Sequence, residues 1–165
     1  MSNLLIHSCL TTLQSTETLL NNLPNHLYSD TSVAPYYSSI GSHVRHILDF
    51  YNCIVKEKEG RVDLTNRERN SEVETNCETA LEYLDYLQKA LQRMDIQEDR
   101  QVLVSDDLGC GSIELKYTIG ALMAQANSHT IHHYAIINYI LERLGISLEN
   151  TRFGFNPTTP VSEKA

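Results

Sequence analysis

Apolar residues recur along this chain at steps of three and four, the period of an amphipathic helix. From Asn3 to Leu23 the stripe runs Leu5, Cys9, Leu13, Leu20 and Leu23, and Pro24 ends it. Residues 24 to 37 are polar and tyrosine-rich, with Pro35, and read as a loop. A second helix begins near Ser38 or Ser39, either of which can cap it. It carries Ile40, His43, Val44, Ile47, Tyr51 and Ile54 on one face, with Gly60 as its stop. Residues 61 to 70 are rich in charge and read as a linker. Ser71 and Glu74 fit a capping box, and the third helix behind them is striped by Ala80, Leu84, Leu87, Leu91 and Met94. The last helix spans about Thr118 to Leu144 and stops at Gly145. Leu122, Ala126, His129, His133, Ile136, Ile140 and Leu144 form its seam.

Residues 100 to 117 break the period. Val102-Leu103-Val104 and Ile113-Glu114-Leu115 flank Asp106 to Gly111, a pattern that allows a short β-hairpin between the third and fourth helices. The expected fold class is therefore all-α, a four-helix bundle with that hairpin as an excursion. One domain covers residues 1–150, and 151–165, with Gly154, Pro157 and Pro160, reads as a C-terminal coil. No internal repeat or low-complexity tract interrupts the pattern.

Composition narrows the partners. At 165 residues and 41% apolar, the chain can bury a real core. Its net charge of −8 argues against nucleic acid and against an anionic membrane, which both need clustered Lys and Arg. No apolar run approaches the length of a membrane span. The N-terminus carries no signal-peptide pattern. Four scattered cysteines without a C-x-x-C fit free thiols in a reducing cytoplasm.

The candidate chemistry lies in the histidines. His129 and His133 are four apart on the last helix. A step of four turns the chain by about 400° and rises about 6 Å, so both rings share a face. Two imidazoles on a seam need partners, because an unpaired buried polar group costs about 1–3 kcal/mol. A shared cation satisfies both, and a third ligand must come from another helix. His43 and His46 on the second helix are the candidates, and spacing alone does not choose between them. His132 competes with His133 in the same way, since a step of three also keeps one face. The di-iron bundles need Glu-x-x-His pairs, and no Glu stands three before a His here. The zinc-protease pattern needs Glu directly after the first His, where Thr130 stands.

Ser39-Ile40-Gly41-Ser42-His43-Val44-Arg45-His46-Ile47-Leu48-Asp49, with Ser128-His129-Thr130-Ile131-His132-His133-Tyr134-Ala135, resembles the DinB-like family. Arg67-Glu68-Arg69 and Glu74 also resemble a subgroup of it. The likeness covers roughly residues 3–150. It implies a metal-binding four-helix bundle whose ligands are His46, His129 and His133. His43, His132 and Asp49 are then neighbours or alternative ligands, Asp49 as an orienter of a ligand ring. Tyr134-Ala135-Ile136 stands where many members have Arg-Gly-Gln, a departure from the pattern.

The resemblance further implies a divalent metal (Zn, Ni or Fe), a homodimer and a small-molecule substrate. Its characterised members are mostly transferases dependent on a low-molecular-weight thiol such as bacillithiol or mycothiol, with a few isomerases and presumed hydrolases. Arg45 and Arg67 are candidates to pair with a carboxylate on a cosubstrate, and Tyr36, Tyr37 and Tyr51 to line a pocket mouth. The competing readings are a non-catalytic metal-binding or stress-related bundle, and a metal-free helical module in which the histidines only pack.

Overall fold

The computed structural model describes residues 4–160; Asn3, the expected start of the first helix, and residues 161–165 of the expected coil lie outside them. Among the described residues the helices are α1 (Leu4–Asn22), α2 (Asn25–Tyr28), α3 (Ile40–Val55), α4 (Ser71–Thr75), α5 (Cys77–Arg93) and α6 (Ile119–Arg143). The strands are β1 (Arg61–Asp63), β2 (Gln101–Asp107) and β3 (Ser112–Thr118), in the order β1-β2-β3.

The all-α expectation is overturned by this sheet. The anticipated hairpin is two seven-residue strands, β2 and β3, paired antiparallel from Gln101↔Thr118 to Asp107↔Ser112. The stretch read as a linker supplies β1, which joins β2 in parallel, Arg61 opposite Leu103 and Asp63 opposite Ser105. Two strands alone are marginal in water. The third covers one edge of β2, while Val62, Val102 and Val104 turn their side chains into the core. A three-residue strand with one buried side chain leaves no periodicity to read. The fold is therefore mixed, six helices with a three-stranded mixed sheet.

The long helices follow their stripes and caps. The Ser39 hydroxyl accepts from the Ser42 N–H at 3.0 Å, and Thr118 accepts from the Ala121 N–H at 3.1 Å. The capping box at Ser71 does not form. Asn70 caps the short α4, and Asn76 caps α5 by accepting from the N–H groups of Glu78 and Thr79. Asn competes on equal terms with Ser for this position. α3 ends at Val55, before Gly60, which takes a φ of +75° in the turn into β1. The loop expected after Pro24 contains α2, whose Tyr28 is fully buried and donates to the Val73 carbonyl at 2.7 Å.

α1 packs against α5 and α6, and α3 packs against the same two helices. Ala80, Leu84, Leu87 and Leu91 of α5 meet Val44, Ile47, Leu48 and Ile54 of α3 in one core with Cys9, Leu13 and Leu20 of α1. Cys9, Cys53 and Cys77 behave as small buried hydrophobes, whereas Cys110 is exposed at the hairpin tip. Beyond residue 150 the chain turns back, and Phe153 is buried against Tyr134 with ring centroids 4.5 Å apart. No helix of the described residues is long and apolar enough to cross a membrane.

Gly41 lets α3 approach α4. A Cβ there would sit 1.9 Å from the Glu74 carbonyl oxygen. That atom is backbone and cannot swing away, so one helix must shift. Gly41→Ala is expected to lower stability by about 1–3 kcal/mol, as overpacking of a filled interior does. Denaturant unfolding measures it, and an unchanged midpoint would show that the contact can relax.

Candidate metal centre

The packing of α3 on α6 brings His46 and His43 opposite His129 and His133. The Nε2 atoms of His46 and His129 lie 2.8 Å apart, and those of His129 and His133 lie 3.1 Å apart. His46, His129 and His133 can each present one nitrogen within 4.8 Å of the other two, and together they could hold a metal ion. All three are partly buried. The expected seam holds at Leu122, Ala126 and Ile140 but is offset by one position at His129, His133 and Ile136, where Thr130, Tyr134 and Ile137 are the buried residues. The buried residues of α6 include Leu122, Ala126, Thr130 and Tyr134, and the two histidines lie beside that stripe. One residue turns a helix by about 100°, enough to leave the ring nitrogens reachable.

Protons alone do not satisfy this convergence. A neutral imidazole has one N–H and one in-plane lone pair. His129 Nε2 therefore cannot accept well from both neighbours at once. A cation removes the conflict, because each nitrogen then directs a lone pair at the same point. Tetrahedral bonds of about 2.0–2.1 Å place ligand nitrogens about 3.3–3.4 Å apart. The observed separations are slightly shorter, so a modest opening of the rings admits the ion. The residues thus fit a three-nitrogen site, one ligand fewer than a closed tetrahedral set.

The rings are poised in the neutral form that ligation needs. Burial pushes His133 down to about 3, helped by the rings of His129, His46, His43 and His132. Burial likewise pushes His46 down to about 4, with the Arg67 guanidinium as the next cause. His129 and His43 are lowered too, chiefly by burial and then by His132. Phe50 sets its ring against His129, centroids 5.5 Å apart, and forms an apolar wall.

His43 stands behind His133. Their Nδ1 atoms share a hydrogen bond of 2.9 Å, and His43 Nε2 shares one of 2.8 Å with the Ser38 hydroxyl. With His133 ligating through Nε2, its Nδ1–H donates to His43, whose own N–H donates to Ser38. Metal-bound histidines are commonly oriented by such a partner. His132 is exposed, its ring centroid 5.5 Å from that of His133 and 6.2 Å from that of His129.

Asp49 does not touch the His46 ring. It is 1% exposed and accepts from Arg45 Nη1 at 2.9 Å, the Tyr83 hydroxyl at 3.2 Å and the Arg69 N–H at 3.3 Å. The group on His46 Nδ1 is Arg67, whose Nη1 lies 3.1 Å away. Spacing carries no signal for this contact, because Arg67 lies 21 positions away in a segment read as linker. Tyr36 and Tyr37 are exposed, and Tyr51 is fully buried.

No protein-family model, no curated protein and no solved structure matches this chain.

Proposed function

We propose that the chain is a metal-dependent enzyme that transfers a small thiol to an electrophilic small molecule, or a related hydrolase, as its likeness to the DinB-like family implies. The observation behind this reading is the three-way approach of His46, His129 and His133 through their Nε2 atoms, which protons leave unsatisfied and a divalent cation satisfies. Three protein ligands are the number found in catalytic rather than structural zinc sites. A divalent cation held this way lowers the proton affinity of a thiol or water in its remaining position.

The chain's own residues supply the rest. Partial burial keeps three imidazoles neutral at pH 7. His43 and Ser38 orient the ring of His133. Phe50 excludes water from one side of His129. Imidazole nitrogens serve zinc, nickel and iron alike, so the ion is defined here only as a divalent one.

The test has two stages. Elemental analysis of the purified full chain, reloaded with zinc, nickel or iron, should give about one ion per chain. The loaded protein should then accelerate the reaction of a small thiol with an electrophile such as 1-chloro-2,4-dinitrobenzene over the metal-free protein. Metal uptake without turnover across several thiols would instead favour the non-catalytic metal-binding reading. Background metal content would remove both and leave a packing role for the histidines.

A further inference from the structure

Arg67 makes the least conventional contact at this centre. Its Nε donates to the Leu64 carbonyl at 2.8 Å, and its Nη1 meets His46 Nδ1 at 3.1 Å. Arg45, the other guanidinium near His46, is held by Asp49 and Glu74, but Arg67 has no ion pair among the described residues. A guanidinium has only donors, so His46 Nδ1 must accept. A neutral ring that accepts at Nδ1 carries its proton on Nε2, the atom turned toward His129. Ligation through Nε2 requires the opposite tautomer, with the proton on Nδ1 facing Arg67. His46 cannot serve both a cation and Arg67 in this arrangement.

A second observation concerns charge. The three candidate ligands are neutral nitrogens, and no carboxylate hydrogen-bonds to any of their rings among the described residues. A divalent cation and Arg67 would together leave about three positive charges in a partly buried place, which is costly without counter-charge. The nearby Arg45 is already held by Asp49 and Glu74. Of the two guanidinium groups that act on His46, Arg67 is the one without a carboxylate, and it is free to meet an incoming anion.

We propose that Arg67 is the anion-binding residue of the centre, displaced from His46 when a cation binds, and that the site takes a small molecule bearing a carboxylate close to its metal-binding atom. The proposal rests on the metal-centre reading above. The hydrogen bond from Nε to Leu64 anchors the guanidinium beside the site, and its terminal N–H groups then fork onto the carboxylate. Cation and anion bind with mutual support, since each removes an unfavourable contact left by the other.

Cobalt(II) loading of the full chain gives a visible spectrum that reports both the ion and its ligands. The loaded protein is titrated with mercaptoacetate and with 2-mercaptoethanol, two thiols that differ in the carboxylate. The wild type should bind mercaptoacetate at least about tenfold more tightly. Arg67→Met should abolish that preference, and Arg67→Lys should keep part of it. Arg67→Met should also bind cobalt itself more tightly, by about tenfold, because a competing donor and a like charge are gone. A merely supporting arginine would give the opposite sign.

Equal affinity for the two thiols in cobalt-loaded wild type would overturn the proposal and leave the metal reading standing. So would a preference undiminished in Arg67→Met, which would mean that the carboxylate chelates the ion directly. Weaker cobalt binding in Arg67→Met, with an unchanged circular dichroism melt, would show that the guanidinium props the ring. The absence of any cobalt spectrum in the wild type would end both readings together.

Discussion

His133→Ala should lower zinc affinity by about a hundredfold. Four-ligand zinc sites bind with about 10–16 kcal/mol, so one ligand contributes about 3 kcal/mol. His133 also links the site to His43 and Ser38, so its loss removes an oriented ring as well as a nitrogen. Competition with a chromophoric chelator measures the change. His132→Ala is the control: its ring is exposed and outside the convergent set, and affinity should stay within about threefold. Similar losses in both variants would mean that the wrong histidine has been assigned.

The same substitution has a pH signature in the metal-free protein. His133 is held down to about 3 and His46 to about 4, below the ordinary histidine value near 6.5. Between those values the unfolded chain binds protons that the folded one refuses. Stability is therefore full above about pH 6.5 and is lost as pH falls toward the folded values. His133→Ala removes part of that loss, so its melting temperature should fall less steeply from pH 7 to pH 5 than the wild type's. An identical slope would show that the ring is as easily protonated folded as unfolded. Added zinc should raise the wild-type melting temperature at pH 7, since a ligand of the folded state stabilises it by mass action.

Asp49→Ala should destabilise the fold by about 3–5 kcal/mol, the usual cost of removing one partner of a buried ion pair. Its carboxylate joins α3 to α5 through Tyr83 and to the segment before α4 through the backbone of Arg69. It also holds the Arg45 guanidinium, which Glu74 grips at 2.6 Å from the other side. Burial, and after it the charge of Asp49, holds the Tyr83 phenol well above its ordinary range. Without Asp49 the Tyr83 phenol loses its acceptor and the Arg45 guanidinium one of its two, where water cannot fully replace them. Urea unfolding reads the loss, and a change below about 1 kcal/mol would mean that Glu74 and water suffice. Asp49→Asn should cost less, because the amide oxygen still accepts from one donor.

Much of the helical frame was legible in the chain. The spans of α1, α3, α5 and α6 follow from apolar residues at three- and four-residue steps, and Ser39 and Thr118 mark two starts. Both are local properties, since a helix satisfies its backbone within a few residues. The His129–His133 pair was legible for the same reason, because four positions along a helix fix two rings relative to each other. Periodicity places Leu122, Ala126 and Ile140 of the α6 seam correctly and misses by one residue around the histidines, since His and Tyr at its boundary carry mixed polarity.

Tertiary structure decided the rest. The choice of His46 as the ring meeting His129 depends on how α3 is rotated against α6, a contact across 83 residues. The place of Asp49 in a buried network, the approach of Arg67 to His46 and the addition of β1 to β2 are also long-range. Each matches a donor to an acceptor, or a strand to an open edge, between segments whose own patterns do not encode the partner. Local periodicity specifies which face of an element is apolar. Which polar groups meet across the resulting core is settled only when all the elements pack together.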